Sequence, residues 1–301
     1  MLEPNLLLVK PSPEIFLKSE KVKVYFNKKL RENIKCALHN NKIGFFGLEQ
    51  GRGRMFLQCK NLLKAQSVLC RVFGIHSLAP AFAFSATDLE SVKETVVEFC
   101  QGRVGKGSFA VRASRSGEQP YSSQEIERAA GAAMLQAFPF LKVDLSAPDV
   151  VVSIELFEEK AVCYVEEIDC FGGLPQGVEG AIGMFFSGKK EEAVAAWLLM
   201  KRGCNIFPIG KNTPSVRKNL SLLEPWNAYR KFMLTNPKNL EKLIVERETL
   251  VLASAENRTS KKDFAKYEKN DKKMPLPVLR PLLFLPKKEL NRLLQTIKAL
   301  K

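Results

Sequence analysis

Four basic side chains within one short stretch of the sequence are the residues best suited to chemistry. Residues 101–117 contain no acidic residue, and their basic residues are Arg103, Lys106, Arg112 and Arg115. An arginine side chain donates two hydrogen bonds from one planar group, which suits the oxygens of a phosphate. The stretch therefore predicts contact with a phosphate-bearing partner, and a solvated basic face is the less favoured interpretation.

Two serines follow this stretch at the predicted start of a helix. Ser122 and Ser123 precede a helical run that extends to about Phe138. The backbone N–H groups at a helix start favour a bound phosphate. Serines also cap helices without any ligand, and for these two residues taken alone capping is the better explanation.

The net charge indicates a polyanionic partner. The sequence has 47 Lys and Arg against 32 Asp and Glu, a formal net charge of +15 with a pI near 9.5. Residues 1–80 carry +9 and residues 175–301 carry +13, whereas residues 81–174 carry −7. Heat-adapted surfaces gain Lys and Glu together, which does not describe these basic segments. A nucleic acid is the favoured partner, although charge alone does not separate RNA from DNA.

The sequence offers few ligands for a metal ion. It has two histidines and seven scattered cysteines, without a Cys-x-x-Cys pair. Zinc sites need clustered ligands at short spacing, so no metal is predicted, and most thiols are expected to be small buried hydrophobes in a reducing compartment. The first residues, MLEPNLLLVKPSP, do not resemble a secretory signal, and no apolar run reaches membrane-spanning length. A cytoplasmic location without membrane contact is expected.

The first part of the chain predicts an α+β domain. Residues 20–41 place apolar side chains at every fourth position, which predicts a helix with one buried face. Residues 42–49 and 53–59 are predicted strands joined by a short turn, and residues 61–73 are a second predicted helix. With extended segments at both ends, this β-α-β-β-α-β order is typical of a small ferredoxin-like domain.

A second unit is predicted to begin at Thr87, an N-cap residue with Glu90 as its capping-box partner. Its helix ends near Cys100, the strand GSFAVRAS and the helix after Ser122 follow, and VVVSIELF and AVCYVEEI are predicted to form a hairpin. The segment FGGLPQGVEG, residues 171–180, contains four glycines and a proline. It is predicted to be a linker.

The remaining residues alternate between strands and helices. AIGMFFSG, CNIFPIG and TLVLAS are predicted strands, EEAVAAWLLMKRG is a predicted helix between the first two, and a last helix closes the chain. Such alternation predicts a parallel, doubly wound α/β domain. Residues 258–274 are Lys-rich and nearly free of apolar residues, which predicts a mobile surface loop.

Seven segments resemble one known family. The segment FAVRASRSGEQPYSSQEI (109–126) resembles the signature of the THUMP domain in tRNA 4-thiouridine synthetases. Six further segments are similar to that family in the same order: RVFGIHSLAPA (71–81), KVDLSAPDV (142–150), GGLPQGVEG (172–180), AAWLLMKRGC (195–204), YRKFM (229–233) and LPVLRPL (276–282). The resemblance covers nearly the whole chain, and collinear matches are far more specific than any single motif.

The resemblance implies three domains: a ferredoxin-like domain at residues 1–80, a THUMP domain at 81–170 and, after the linker at 171–180, a PP-loop-type domain at 181–301. In that family the first two domains hold the acceptor stem and 3′ end of tRNA, and the third adenylates a uridine with ATP. The expected partner is therefore tRNA. The residues expected to bind it are Arg103, Lys106, Arg112, Arg115, Ser122, Ser123, Arg71 and Lys18.

The residues aligned with the family's nucleotide-binding loop depart from its pattern. The family has Ser-Gly-Gly-x-Asp-Ser, whereas this sequence has Ser187, Gly188, Lys189, Lys190, Glu191 and Glu192. Lys189 replaces the second glycine, where a side chain crowds the phosphates or demands an unfavourable φ. A carboxylate at Glu192, about 4 Å from a phosphate charge, costs about 4 kcal/mol at an effective dielectric of about 20, roughly a thousandfold in affinity. No ATP or other cofactor is therefore expected to bind.

Two other features of the family are missing. Its later motif, a Thr-Gly-Asp/Glu run followed by Gln and Ser-Gln-Thr, corresponds to ASAENRTSKKDF (253–264), and no sulfur-relay cysteine precedes YRKFM. Cys204 is expected at the start of a strand rather than as a nucleophile, and no rhodanese-like extension is expected. These differences predict that no residue is catalytic.

The sequence thus predicts a tRNA-binding member of this family that acts in tRNA modification without catalysing it. Its third domain is expected to be a scaffold or a docking surface. Two alternatives stay open: an active ATP-dependent sulfurtransferase with a divergent site or a partner subunit, and an adaptor that presents tRNA to another modifying enzyme. A methyltransferase is disfavoured, because no glycine-rich cofactor loop follows a strand in the C-terminal domain.

Overall fold

The computed structural model describes residues 1–51, 53–86, 88–117, 120–157 and 160–299. The chain forms two compact units, each assembled from several segments. The first unit consists of Met1–Pro11, Ile43–Cys70 and His76–Cys170. The second unit consists of Ser12–Lys42, Arg71–Ile75 and Phe171–Lys301.

The described residues contain thirteen strands and ten α-helices. In the first half of the chain these are β1 Leu6–Pro11, α1 Pro13–Phe16, α2 Glu20–Asn40, β2 Phe45–Gly51, β3 Arg54–Cys59, α3 Leu62–Leu69, β4 Ile75–Ser85, α4 Leu89–Cys100, β5 Gly107–Ser116, α5 Ser123–Ala137 and β6 Leu141–Val143. The second half has β7 Val150–Phe157, β8 Lys160–Tyr164, β9 Ile168–Asp169, β10 Ala181–Phe186, α6 Lys190–Lys201, β11 Asn205–Gly210, α7 Pro214–Leu223, α8 Leu240–Glu246, β12 Val251–Ala253, α9 Lys261–Asp271, β13 Val278–Leu279 and α10 Lys287–Ala299.

The first unit is built on one mixed sheet of nine strands. Its order is β2-β3-β1-β4-β8-β7-β5-β6, and β9 pairs with β4. The strand β1, with the sequence LLLVKP, is buried on both faces, which explains its continuous apolar run. β7 and β8 form the predicted antiparallel hairpin, and β5 lies parallel to both β6 and β7. The β-α-β-β-α-β order predicted for the first part of the chain is present as β1, α2, β2, β3, α3 and β4.

Two helices of the first unit pack on each other and on β5. The described N-cap of α4 is Asp88, whose carboxylate accepts a hydrogen bond from the N–H of Ser91 at 2.7 Å. The predicted cap, Thr87, lies outside the described residues. α5 begins where the sequence predicts, after Ser122. The buried faces of α4 and α5 share one apolar core with β5, including Phe99 and Ile126.

The second unit contains a four-stranded sheet in the order β11-β10-β12-β13. All of its neighbouring strands are parallel, as predicted for this part of the chain. The chain leaves β10 through α6 to β11 on one side and later returns to β12 on the other side. In open parallel sheets, ligands bind beyond the carboxyl ends of strands at such a reversal of strand order.

Helices contribute to a separate core on each side of this sheet. The larger core joins α6, α7 and α10 and includes Trp197, Trp226 and Phe73. The Trp197 and Trp226 rings meet edge to face with centroids 5.5 Å apart, and Phe73 stacks on Trp226 at 5.7 Å. The smaller core joins Leu243 of α8 to Ile209 and Leu252 of the strands. This two-sided burial is the doubly wound arrangement.

Residues 258–274 do not form the predicted surface loop, and this prediction was wrong. They contain α9, which Ser260 caps by accepting from the N–H of Asp263 at 3.2 Å, while Asp263 completes a capping box. Tyr267 is buried, its hydroxyl donates to the carbonyl of Arg258 at 3.1 Å, and its ring lies under the guanidinium of Arg280 at 4.5 Å. A single buried aromatic and a good cap stabilise this helix despite its lysines.

The segment at 171–180 has no helix or strand, yet it is tightly held within the second unit. The N–H of Leu174 donates to the carbonyl of Lys201 at 2.9 Å, and the N–H groups of Gly177 and Glu179 both donate to the carbonyl of Gly203. Gly173 has φ +76 and lies where a Cβ would sit 2.3 Å from the carbonyl oxygen of Lys201, so only glycine fits there.

Candidate functional site

Two of the predicted phosphate-binding arginines lie on β5. The strand continues through Ser116 in an unbroken parallel register with β7, in which Arg112 is opposite Ser153 and Arg115 opposite Leu156. Because side chains alternate along a strand, the two arginines project from opposite faces of the sheet. Both are exposed, in contrast to the buried Val111.

Arg112 has a hydrogen bond within the first unit, and the charge of Arg115 reaches a nearby carboxylate. Arg112 donates from Nη2 to the carbonyl oxygen of Leu145 at 2.5 Å. The pKa of Glu125 is lowered, first by hydrogen bonds from Ser122 and to a smaller degree by the charges of Arg128 and Arg115. The positive potential around the start of α5 is therefore felt by a carboxylate, as it would be by a phosphate.

The other two basic residues of the stretch differ from each other. Lys106 is exposed in the turn that leads into β5. The Arg103 guanidinium donates to Glu3 Oε2 at 2.8 Å and to the carbonyl of Phe99 at 2.7 Å, and it lies 4.5 Å from the centre of the Phe99 ring. These contacts hold Arg103 within the protein, whereas Lys106, Arg112 and Arg115 are exposed.

Ser122 has the capping role that the sequence favoured. Its hydroxyl oxygen accepts from the N–H of Glu125 at 3.2 Å, and the N–H of Ser122 donates back to Glu125 Oε2 at 2.7 Å. Ser123 is the first residue of α5. The capping box therefore already uses two of the backbone donors at this helix start.

The last two predicted binding residues belong to the second unit. Arg71 donates from Nη1 to the Tyr229 hydroxyl at 3.0 Å, and Lys18 is exposed near the ring of Phe26. Three rings of these domains differ in burial: Phe73 and Phe109 are buried, whereas His76 is exposed.

The loop that follows β10 holds a carboxylate of its own. Glu192 Oε1 accepts from the N–H of Ser187 at 2.8 Å and from the Ser187 hydroxyl at 2.6 Å, while Oε2 accepts from the N–H of Gly188 at 2.9 Å. Gly188 adopts φ +100, which turns its N–H into the loop. A side chain from the first turn of α6 thus occupies the donors that face the carboxyl end of β10.

Several dipoles stabilise this buried carboxylate. Glu192 is 3% exposed, and within the described residues no Lys or Arg forms an ion pair with it. Asn219 Nδ2 donates to the carbonyl of Lys189 at 2.7 Å and lies 3.5 Å from Glu192 Oε2. The N-terminus of α6 adds its partial positive charge. Sequence reasoning identified Glu192 as an obstacle to phosphate but missed that its side chain accepts the hydrogen bonds of the loop, a signal present in its position three residues after the cap of α6.

A cleft of about 930 Å³ opens beside this loop, at the carboxyl ends of the strands. The most buried of its described basic side chains, Arg280, donates to both carboxylate oxygens of Asp271, at 2.6 and 2.8 Å, and to Glu256 Oε2 at 2.7 Å. These hydrogen bonds, that to Asp271 first, raise the pKa of the guanidinium. Arg280 is therefore neutralised by protein carboxylates rather than held ready for a phosphate.

Two of the buried thiols are poorly suited to sulfur chemistry. All seven cysteines are free. Burial raises the pKa of the Cys204 thiol to about 11, and it raises the pKa of Cys100 to about 12. A nucleophilic or sulfur-carrying cysteine must be a thiolate, and these two are protonated near neutral pH. Among the described residues, no group of three or more His, Cys, Asp or Glu side chains is placed to hold a metal ion.

The fold and the sequence match two domain families. Residues 6–79 match the ThiI ferredoxin-like domain, and residues 86–166 match the THUMP domain. No helix of the described chain is long and apolar enough to cross a membrane. The fold is thus that of a THUMP-domain protein with an N-terminal ferredoxin-like domain and a parallel α/β region after them.

Curated relatives define the family more closely. A probable tRNA sulfurtransferase of Saccharolobus solfataricus is 32% identical over 262 residues, which cover 82% of this chain and 67% of the relative. A probable tRNA sulfurtransferase of Methanosarcina acetivorans is 34% identical over 212 residues, covering 69% of this chain and 51% of the relative. The chain therefore belongs to the tRNA sulfurtransferase family. It spans about half to two thirds of the length of these relatives.

Two solved structures have the same fold. The protein PH1313 from Pyrococcus horikoshii Ot3 is 27% identical, with a TM-score of 0.86 and coverage of 98% of this chain and 99% of that one. A 4-thiouridine synthetase, solved as an RNA complex with bound ATP, is 23% identical with a TM-score of 0.81, covering 98% of this chain and 85% of that one. Both likenesses extend over the two units described above.

Proposed function

We propose that this chain is a tRNA-binding protein that acts in tRNA modification without performing ATP-dependent sulfur transfer itself. Membership of the tRNA sulfurtransferase family, the THUMP domain and the net charge of +15 support the choice of tRNA. The acceptor stem and 3′ end are the proposed contact regions. Lys106, Arg112 and Arg115 are the proposed phosphate contacts, because they are exposed within the acid-free stretch 101–117 of that domain.

The hydrogen bonds of the Glu192 carboxylate are the main support for the absence of ATP-dependent sulfur transfer in this proposal. It accepts the hydrogen bonds of Ser187 and Gly188, which in a working loop would be available to a pyrophosphate. A nucleotide would have to displace the Glu192 carboxylate from these donors, and its phosphates would then lie near that negative charge. The repulsion costs about 4 kcal/mol for charges about 4 Å apart at an effective dielectric of about 20. ATP is therefore not a cofactor of this chain.

The thiols give independent support. Sulfur transfer needs a thiolate that can carry or release sulfur, and the last cysteine in the sequence is the buried Cys204. Its raised pKa opposes that role. Seven free cysteines also fit the reducing cytoplasm, which is the proposed location.

Turnover is the measurement that tests this proposal. Unmodified tRNA, ATP and a sulfur donor are incubated with the chain, and pyrophosphate release and 4-thiouridine are measured. We expect neither product. Weak ATP binding alone decides nothing, because a basic protein attracts any polyphosphate, so tRNA-dependent release of pyrophosphate is the outcome that defeats the proposal.

ATP-dependent sulfur transfer is the second candidate function. The names of the curated relatives favour it, and so does the open cleft at the carboxyl ends of β10 and β12, where a parallel sheet binds its ligand. The same turnover experiment separates the two candidates. The first proposal includes an adaptor role, in which this chain presents tRNA to a second protein and that protein modifies it.

A further inference from the structure

A second cleft lies in the second unit, away from the loop after β10. Its volume is about 700 Å³, and its walls are the beginning of β11, the helix α8 and the segment at 227–236. The segment runs beside β11, where the N–H of Thr235 donates to the carbonyl of Pro208 at 2.9 Å. The cleft next to Glu192 adjoins the opposite end of β11, so the two clefts are separate.

The wall of this cleft is basic, and two of its cations are paired with carboxylates outside the wall: Lys29 with Glu32 at 2.7 Å and Lys231 with Glu224 at 2.6 Å. Among the described residues, Glu246 is its only carboxylate, and the cations are Lys29, Arg230, Lys231, Lys242 and Arg247. Lys242 lies 3.6 Å from Glu246, and both side chains are more than half exposed. Exposed pairs of this kind contribute about 0–1 kcal/mol, so a phosphate can replace the carboxylate as partner of Lys242.

A chain of carboxamides forms the floor of the cleft. Asn33 Nδ2 donates to the carbonyl of Gln176 at 3.0 Å, and Gln176 Nε2 donates to Asn227 Oδ1 at 2.7 Å. Arg230 joins this chain by donating from Nη2 to Asn33 Oδ1 at 3.0 Å. Asn33 and Gln176 are buried. Because this network fixes the position of Arg230, the cleft is a preformed site rather than a loose surface patch.

Strained backbone follows directly after this network. Ala228 has φ +48 and Tyr229 has φ +58, backbone conformations that residues other than glycine rarely adopt. Such conformations persist where surrounding contacts hold them and are concentrated at functional sites. Here Asn227 Nδ2 donates to the carbonyl of Arg230 at 3.1 Å and closes the turn, which aims the following residues at the cleft.

Other groups on the wall are left without partners. The carboxamides of Asn205 and Asn239 form no hydrogen bond with any residue that the structure describes. The Arg247 guanidinium lies 5.2 Å from the centre of the partly exposed Phe207 ring. A carboxamide both donates and accepts, as the edge of a nucleobase does, and stacked aromatic and guanidinium groups suit a base plane.

We propose that this cleft binds an unpaired nucleotide of RNA, with the basic wall on its phosphates and the free carboxamides on its base edge. The proposal rests on the proposed function, since it adds a second RNA contact in the C-terminal part of the chain. A duplex is a poor occupant, because its base edges are paired and proteins read single-stranded bases in RNA.

Binding of labelled RNA to the full chain tests the proposal. The probes are an unmodified tRNA, a short single-stranded RNA and the duplex of the same sequence, followed by fluorescence anisotropy over a salt series. The variant is Lys242→Ala with Arg247→Ala on α8. The control is Arg292→Ala with Lys298→Ala on α10, which removes the same charge, also breaks one helical ion pair and leaves the cleft intact.

We expect the α8 double variant to bind the single strand and tRNA about tenfold more weakly. Its plot of log affinity against log salt should lose roughly one to two units of slope, because phosphate contacts that release counterions are gone. The α10 control should bind as the unmodified chain does. Thermal unfolding of both variants shows whether either merely fails to fold.

A single-residue pair sharpens the assignment. Asn205→Asp keeps the shape of an unpartnered side chain and places a negative charge in the cleft, so it should weaken single-strand binding, whereas Asn291→Asp on the exposed face of α10 should not. Equal loss with the duplex, or no difference from the controls, overturns the proposal. If Arg112→Ala weakens tRNA binding while the cleft variants do not, only this inference fails. If the unmodified chain binds no RNA, the proposed function fails with it.

Discussion

Glu192 shows how one residue can decide the chemistry of a loop. Its carboxylate satisfies the backbone donors of Ser187 and Gly188, which would otherwise lie unpaired near the buried end of β10. The side chain therefore has a structural role in this protein. Removing the Glu192 side chain leaves these donors unpaired but does not restore the second glycine of the family's loop.

Restoring the loop is a test at the scale of single residues. In Lys189→Gly, Glu191→Asp, Glu192→Ser, the Glu192 carboxylate leaves the donors and the glycine relieves crowding, so we expect some ATP affinity to appear in calorimetry. The single variant Glu192→Gln is the matched control, since it keeps a side-chain acceptor and should bind no ATP. Chemistry should stay absent in both, because the proposed function assigns no relay cysteine to this chain. Strong ATP binding by the unmodified chain would contradict this expectation.

The exposed arginines of β5 give a second residue-scale prediction. Arg112→Ala or Arg115→Ala should weaken tRNA binding by about 1–3 kcal/mol, the usual loss for a charge-assisted hydrogen bond. The melting temperature should hardly change, because both side chains are exposed. Lys160→Ala, an exposed cation on β8 of the same sheet, controls for the change in net charge.

Arg103 provides the opposite control. Because it contacts Glu3 and Phe99, Arg103→Ala should lower the melting temperature more than it lowers the RNA affinity of the folded protein. A large drop in the melting temperature of the Arg112 or Arg115 variants, with unchanged RNA affinity, would show that those arginines are structural instead.

At the scale of elements, α9 depends on its cap. Ser260 and Asp263 form a capping box, and the hydrogen bonds from Ser260 lower the pKa of Asp263. We expect Ser260→Ala to destabilise α9 by about 1 kcal/mol, seen as faster amide hydrogen exchange in Lys261–Asp271. Ser221→Ala, an exposed serine inside α7, is the control.

The pH dependence of α9 follows from the same pair. Since the pKa of Asp263 is lower in the folded protein than the ordinary value of 3.8, its contribution is present above 3.8 and is lost as the pH falls below it. Exchange in α9 should therefore accelerate on acidification relative to α5 after correction for intrinsic rates. The Ser260→Ala variant should show less of this acceleration.

At the scale of the whole molecule, the charge distribution and the domain families predict how RNA is chosen. We expect tRNA with an intact single-stranded 3′ end to bind more tightly than a duplex of equal length, because accessible ends are what proteins read in RNA. Affinity should fall steeply with salt. Filter binding of tRNA and of tRNA trimmed at its 3′ end checks this, and equal affinity for the two would defeat it.

Much of this architecture could be predicted because it is encoded in local patterns. The apolar period of α2, the parallel strands β10 and β11, and the capping serine of α5 all follow from residues close together in sequence. The sequence also determined the family, through collinear segments that the domain matches at 6–79 and 86–166 support. The departure of residues 187–192 from the family's loop is likewise visible without a structure.

Contacts between residues distant in sequence were decided only by the tertiary structure. Residues 258–274 were misjudged because Tyr267 is buried under Arg280, a cation–aromatic pair that no local period reveals. Arg103 could not be separated from Arg112 by type or spacing, since its partner Glu3 lies far away in the chain. Asn33, Gln176 and Asn227, which form the floor of the second cleft, could not be predicted to lie together from the sequence. A hydrogen-bond network depends on where the folded chain brings its side chains together.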